Sequence, residues 1–241
     1  MTSKPLIYKE TCPLCTNDGC NVYHRDSIPY RDYYHCSECD LIFVPVRFHL
    51  CSEEERKIYD QHNNLPDDPN YRGFLNKLYE PLSKHLAQGA QGLDFGSGPG
   101  PTLSKMFEEN GFSCAIYDKF YANEPDILTR DFDFVSTTEV VEHLSNPKDI
   151  FDQLFRLVHE RDGVLGLMTK QHAQDPEHFA TWHYKNDPTH ISFYSKHTLA
   201  YLSEKYQKRL SLIGNDVALF TPLLEDESRT LSRPVGFDRS N

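Results

Sequence analysis

Two groups of residues in this 241-residue chain have the types and spacing to do chemistry. The first is Leu93-Asp94-Phe95-Gly96-Ser97-Gly98-Pro99-Gly100, followed by Pro101. It reads as a short apolar strand, a glycine-dense turn and a helix beginning near Pro101. Glycines there let backbone N–H groups approach a ligand with no Cβ in the way, at a helix N-terminus that favours negative charge. That geometry suits a nucleotide-type cofactor. A dinucleotide fingerprint asks for G-x-G-x-x-G/A, but Pro101 holds the sixth position and Gly100 comes one residue early. A nicotinamide dinucleotide is therefore disfavoured. The competing reading of the same residues is a glycine turn closing an ordinary strand–helix unit.

The second group is Cys12-Pro13-Leu14-Cys15 with Cys36-Ser37-Glu38-Cys39, two C-x-x-C pairs separated by twenty residues. Two residues between thiols let one turn present both sulfurs to the same ion, and two such turns complete a tetrahedral S₄ site. The ligands suit zinc, with iron open on ligand type alone. Closed coordination makes such a metal structural rather than catalytic. A redox dithiol is the alternative, although redox motifs do not usually come as matched pairs. Cys20 and Cys51 lie outside both pairs, Cys20 near enough to substitute as a ligand.

These groups need elements to position them. The tyrosine-rich stretch Asn21 to Tyr34 predicts a short hairpin too small to fold without its metal. Ser52 with Glu55 has the form of a capping box opening a helix. Residues 63–70 read as a loop, and Phe74, Leu75, Leu78, Leu82 and Leu86 form one apolar helical face. The expected organisation is a zinc-ribbon-like clip over 1–50, connecting helices over 51–90, a cofactor domain over 91–221 and a polar, disordered tail over 222–241. Within the cofactor domain Leu103, Met106 and Phe107 predict a helix ended by Gly111. Strands follow at 113–117, 133–138 and 163–169, and a hairpin at 209–220. Asn146-Pro147 and Ser195 open two further helices. Asp118, about twenty residues after the glycine turn, stands where a carboxylate accepts ribose hydroxyls.

These residues resemble a known family. Asp94, two positions before G-x-G-x-G, resembles motif I of the class I S-adenosylmethionine (SAM) dependent methyltransferases. Thr137-Thr138-Glu139-Val140-Val141-Glu142-His143-Leu144 is similar to their fourth motif. The likeness covers residues 70–220 and points to the branch that includes ubiquinone-biosynthesis O-methyltransferases. The glycine segment and Trp182-His183-Tyr184-x-x-Asp187-Pro188-Thr189-His190 resemble bacterial members of unknown substrate. The resemblance implies an α/β, Rossmann-like, mostly parallel seven-stranded-type sheet with an antiparallel last strand. It implies that SAM is held by Asp94, Gly96, Ser97, Gly98, Gly100, Asp118, Thr138 and Glu139. One interval departs from the pattern: residues 119–130 leave room for little more than a loop and a stub, where a helix and a strand are usual.

A SAM methyl group arrives activated, so the protein has mainly to align a nucleophile and exclude water. Where the acceptor must lose a proton, histidine suits the task at neutral pH. His190 is the first candidate base, with His183, Tyr184 and Asp187 as partners; the alternative is a packed loop in which His190 bonds backbone. His143 is the second candidate. Glu139, Glu142 and His143, with His190, could also hold a divalent cation, as the resemblance suggests, or else position the cofactor and cap the next helix.

Bulk properties set the limits. A net charge of −11 argues against a broad nucleic-acid footprint. The first ten residues lack the apolar run of a signal peptide, and no stretch reaches the roughly 18 apolar residues of a membrane span. Paired thiols fit a reducing, cytoplasmic setting. The leading expectation is methyl transfer to an oxygen or nitrogen of a small molecule. An RNA or protein methyltransferase that docks its substrate through the clip, and a non-catalytic SAM-binding scaffold, are the competitors. Oligomeric state leaves no signature.

Overall fold

The computed structural model describes residues 9–61 and 64–224. In chain order the strands and helices are β1 (Cys20–Ser27), β2 (Tyr30–Cys36), β3 (Ile42–Phe43), α1 (Ser52–Tyr59), α2 (Pro69–Ser83), β4 (Gln91–Phe95), α3 (Thr102–Glu109), β5 (Ser113–Tyr117), β6 (Phe134–Thr138), α4 (Pro147–Leu157), β7 (Val164–Met168), α5 (Pro176–Thr181), β8 (Ser192–Phe193), α6 (Lys196–Lys205), β9 (Arg209–Ile213) and β10 (Val217–Thr221). Short 3₁₀ turns fill several of the connections.

The main sheet runs β5-β4-β6-β7-β10-β9. Strands β5, β4, β6 and β7 pair in parallel, and β10 is antiparallel to both of its neighbours. The last strand is thus antiparallel, as expected. Side-chain alternation explains the two layers. Leu165, Leu167, Ala218 and Phe220 join Phe151, Leu154, Leu199 and Leu202 of α4 and α6 in one core. Val164, Met168, Val217 and Leu219 join Leu75, Leu78, Leu82, Leu103 and Phe107 of α2 and α3 in another. Strands buried on both faces read as continuous apolar runs, as β7 and β10 do.

The sheet has six strands where the seven-stranded pattern would add one beyond β5. Residues 119–130 hold only a small bridge from Asp118 to Ala122 and a 3₁₀ turn at Pro125–Thr129, too little chain for a crossover helix and strand. Two local expectations also shift. The capping box of α1 sits one residue early, with Cys51 as cap and the Glu54 carboxylate accepting from the Cys51 amide at 3.1 Å. Helix α2 begins at Pro69 behind an Asp68 cap and packs on the sheet itself. Helix α5, capped by the Asp175 side chain, has no sequence periodicity to announce it. Most of the expected tail, 225–241, lies outside the described residues, and 222–224 form no regular element. Among the described residues no helix is long and apolar enough to cross a membrane.

The cysteine-bearing segment builds a second sheet, β1-β2-β3-β8, whose fourth strand comes from far down the chain. Cys12, Leu14, Cys36, Cys39 and Leu41 belong to the same core as Leu154 and Tyr194. Asp40 accepts from His35 at 2.6 Å and from the side chains of Gln174 and Ser195. The clip and the segment before α6 are therefore one packed unit.

Gly92 leaves no room for a side chain, since a Cβ there would lie 2.1 Å from the buried Phe134 ring. Overpacking of this kind costs about 1–3 kcal/mol. Gly92→Ala is expected to lower the thermal unfolding midpoint clearly; an unchanged midpoint would contradict this packing.

Candidate active site

Parallel β4, β5 and β6 end at the same edge of the sheet, and a cavity of about 720 Å³ opens there. Its floor is the glycine turn. Gly96 and Gly98 adopt φ of +80° and +64°, which disfavours any side chain. A Cβ on Gly96 would strike Val140 at 2.3 Å, and one on Gly100 would meet the Asn64 carbonyl at 2.0 Å. The Gly96 and Ser97 amides donate to the Tyr117 carbonyl at 2.7 and 3.2 Å, which anchors the turn to the end of β5. One residue on, Asp118 accepts from the Gly98 amide at 2.9 Å and from the Phe120 and Tyr121 amides at 2.8 and 3.1 Å. Asp94 lies beneath, accepting from Ser136 at 3.0 Å, with burial raising its carboxyl to about 7. The Ser97 hydroxyl is buried without a partner. Thr138 and Glu139 complete this side of the wall.

Glu139 takes a left-handed φ of +52° at the end of β6, the kind of strained position that clusters at functional sites. Burial lifts its carboxyl to about 7, opposed by the Lys170 charge. Glu142 lies wholly buried behind the wall, accepting from the Thr169 hydroxyl at 2.9 Å and from the Tyr184 hydroxyl. Burial, reinforced by Glu139, raises it to about 8. The Tyr184 hydroxyl donates to Glu142 and, at 3.3 Å, faces Glu139, and burial raises the phenol well above its ordinary value.

Beside Glu142 stand the two imidazoles, with ring centres 4.7 Å apart. His190 Nδ1 lies 2.7 Å from the Tyr184 carbonyl and His143 Nδ1 lies 3.1 Å from the Thr189 carbonyl. A carbonyl accepts only from N–H, so each Nδ1 carries the proton and each Nε2 keeps its lone pair. Burial lowers both pKa values, that of His143 to about 3, with the His190 charge a second contribution. Asp187 stands 3.9 Å from His190 Nε2. His183 instead faces Lys170 at 2.9 Å and is exposed.

Among the described residues, ligand atoms of Glu142, His143 and His190 converge closely enough for a cation, a grouping that leaves out Glu139. The four sulfurs of Cys12, Cys15, Cys36 and Cys39 converge as well. Cys12 to Cys39 is 3.5 Å and Cys15 to Cys36 is 3.4 Å, against the ~3.8 Å implied by metal–sulfur bonds of about 2.3 Å in a tetrahedral site. Cys20 contacts Cys12 but stands outside the four.

Some cavity residues carry no sequence signal. Tyr59 and Gln61 from the end of α1, Asn64, and Tyr71 of α2 line it, beside Phe74 of the apolar face of α2. Tyr59 packs edge-on against His143 at 5.2 Å. Lys119 pairs with Glu55 at 2.8 Å, joining α1 to the turn after β5. These contacts span long stretches of chain, which no local spacing reveals.

Solved structures similar to the chain include the YcgJ protein of Bacillus subtilis, at 16% identity and TM-score 0.43, covering 58% of this chain and 70% of that one. A 1,6-didemethyltoxoflavin N1-methyltransferase of Burkholderia thailandensis, solved with 1,6-didemethyltoxoflavin and S-adenosylhomocysteine, aligns at 14% identity and TM-score 0.47, covering 78% and 96%. An O-methyltransferase family protein of the same organism aligns at 11% identity and TM-score 0.45, covering 77% and 65%. A search of the curated proteins finds no match. A family model described as a methyltransferase domain matches residues 68–209, more than half of the chain, from the start of α2 to the first residue of β9. The chain belongs to this methyltransferase-domain family and is a transferase.

Proposed function

We propose that the protein transfers the methyl group of SAM to an oxygen or nitrogen of a small-molecule acceptor. The observation that carries this reading is the single cavity reaching from the glycine turn and Asp118 to His143 and His190. The donor side fits the cofactor: two positive-φ glycines, the unpartnered Ser97 hydroxyl and the Asp118 carboxylate line the same floor. Gly96, Ser97, Gly98 and Gly100 would hold the amino-acid portion, Asp118 the ribose, and Asp94, Thr138 and Glu139 the wall between. Bound SAM supplies an electrophilic methyl group on a positively charged sulfur. Tyr59, Tyr71 and Phe74 line the same cavity, whose volume of about 720 Å³ suits a small acceptor beside the cofactor.

The His190 Nε2 lone pair would take the proton of an acceptor hydroxyl or amine, leaving that atom's electron pair free to receive the methyl group. The Tyr184 carbonyl holds the ring in the tautomer this requires. His143, held by Thr189 in the same way, presents its Nε2 lone pair beside His190, but its lower pKa makes His190 the better base. Glu142, His143 and His190 support a second reading, a divalent cation that would bind the acceptor oxygen. The four clustered cysteines support a structural zinc, and reduced thiols suit a cytoplasmic location. On this reading the SAM-binding domain spans 91–221, residues 51–90 supply the connecting helices, and residues 1–50 form the clip.

Three outcomes are expected of transfer assays with methyl-labelled SAM on cell extract. Product forms. His190→Ala slows transfer by about 10²–10⁴-fold for a proton-bearing acceptor. The acid limb of the rate profile lies below the ordinary histidine value of 6.5, because burial favours neutral imidazole, so the base form persists as pH falls. An alanine variant as fast as the wild type would refute the base assignment. Metal analysis is expected to find about one zinc per chain, and its removal to lower the unfolding temperature. A metal-free protein with the same unfolding temperature would refute the clip.

A further inference from the structure

Arg31 lies in the hairpin between the cysteine pairs, outside the residues that match the family model, and does not line the cavity. It is nevertheless 8% exposed and has no carboxylate in ion-pair range among the described residues. Its guanidinium is spent on main-chain oxygens from the other end of the chain. One terminal nitrogen donates to the Lys185 and Asp187 carbonyls at 3.5 and 3.3 Å, and the other to the Pro188 and His190 carbonyls at 3.3 and 2.6 Å. Burying a guanidinium is costly unless its donors are met. Four are met here by a single loop, and Nε alone lacks a partner.

We propose that Arg31 is a positioning residue for the acceptor side of the active site. The inference rests on the reading of that side given above. The loop it grips is the one that orients both imidazoles. The Tyr184 carbonyl receives His190 Nδ1–H, the Thr189 carbonyl receives His143 Nδ1–H, and the Ile191 amide returns to the Glu142 carbonyl at 2.8 Å. A planar fork reaching four carbonyls bends residues 185–190 around one centre, which a point-charge ammonium cannot reproduce. Two neighbours on the same hairpin brace the grip. Asp26 pairs with Lys185 Nζ at 2.7 Å, and the Tyr33 ring packs against Phe179 and Phe193 beside the loop. Because β2 ends at Cys36, one of the four clustered cysteines, the clip is rigidly joined to the wall that faces the acceptor. The cysteine module thus shapes the reaction site while staying outside it.

The test uses the full chain as Arg31→Lys, which keeps the charge and loses the fork, and Arg31→Met, which loses both. S-adenosylhomocysteine affinity is read by calorimetry, transfer from labelled SAM to extract acceptors at saturating SAM, and amide exchange at residues 185–191. The sole tryptophan, Trp182, lies 5.1 Å from the Tyr184 ring and reports the loop by fluorescence. Both variants are expected to bind S-adenosylhomocysteine within about twofold of the wild type. Transfer should fall about tenfold or more, with lysine giving no rescue, while exchange at 185–191 rises and Trp182 emission shifts to the red. Wild-type transfer by Arg31→Lys, unchanged exchange, or loss of S-adenosylhomocysteine binding in step with transfer would each overturn the proposal. A wild-type protein that binds no S-adenosylhomocysteine would instead refute the cofactor reading, and the exchange data would still judge the grip.

Discussion

The parallel register of β4, β5 and β6 brings Phe95, Tyr117 and Thr138 to one edge of the sheet, and the active site depends on that edge. Backbone groups leaving a parallel sheet must find new partners. The Gly96 and Ser97 amides meet this need by donating to Tyr117, and the Gly98 amide by donating to Asp118. The glycine turn is thereby sewn to the neighbouring strand end. Substituting any of these glycines would either force an unfavourable φ or drive a Cβ into Val140 or Asn64.

The other half of the site is built differently. Its histidines sit on a 3₁₀ turn after β6 and on an irregular loop before β8, neither of which has a ladder of its own. Order is imported. Strand β8 pairs with β3 of the clip, and Tyr33, Phe179, Trp182, Tyr184 and Phe193 form a shared apolar cluster. Carbonyls of the loop are taken up by Arg31 on one side and by the histidine Nδ1–H groups on the other. The donor half therefore relies on the sheet, and the acceptor half on the clip.

This division explains what could be read in the sequence. The glycine turn, Asp118 and the strand preceding Glu139 are local patterns whose geometry follows from a few adjacent residues. The two C-x-x-C pairs are equally local, and their four sulfurs converge as spacing requires. The short interval after Asp118 announced the missing strand, since twelve residues from 119 to 130 cannot hold a crossover and a strand. What spacing could not supply is long-range. Nothing in the run around Arg31 points to carbonyls more than 150 positions away, and nothing in α1 places Tyr59 against His143. His190 joins Glu142 and His143 in the converging ligand group, while Glu139, at a left-handed φ after β6, stands outside it.

Calorimetric titration with S-adenosylhomocysteine probes the central claim most directly, because it reads the donor half without requiring the acceptor. The account predicts one binding site per chain in the wild type. It predicts affinity reduced about tenfold or more in Asp118→Ala, the loss expected on removing a charge-assisted hydrogen bond worth about 1.5–3 kcal/mol. A wild-type protein with no measurable binding, or an Asp118→Ala variant that binds as tightly, would contradict it.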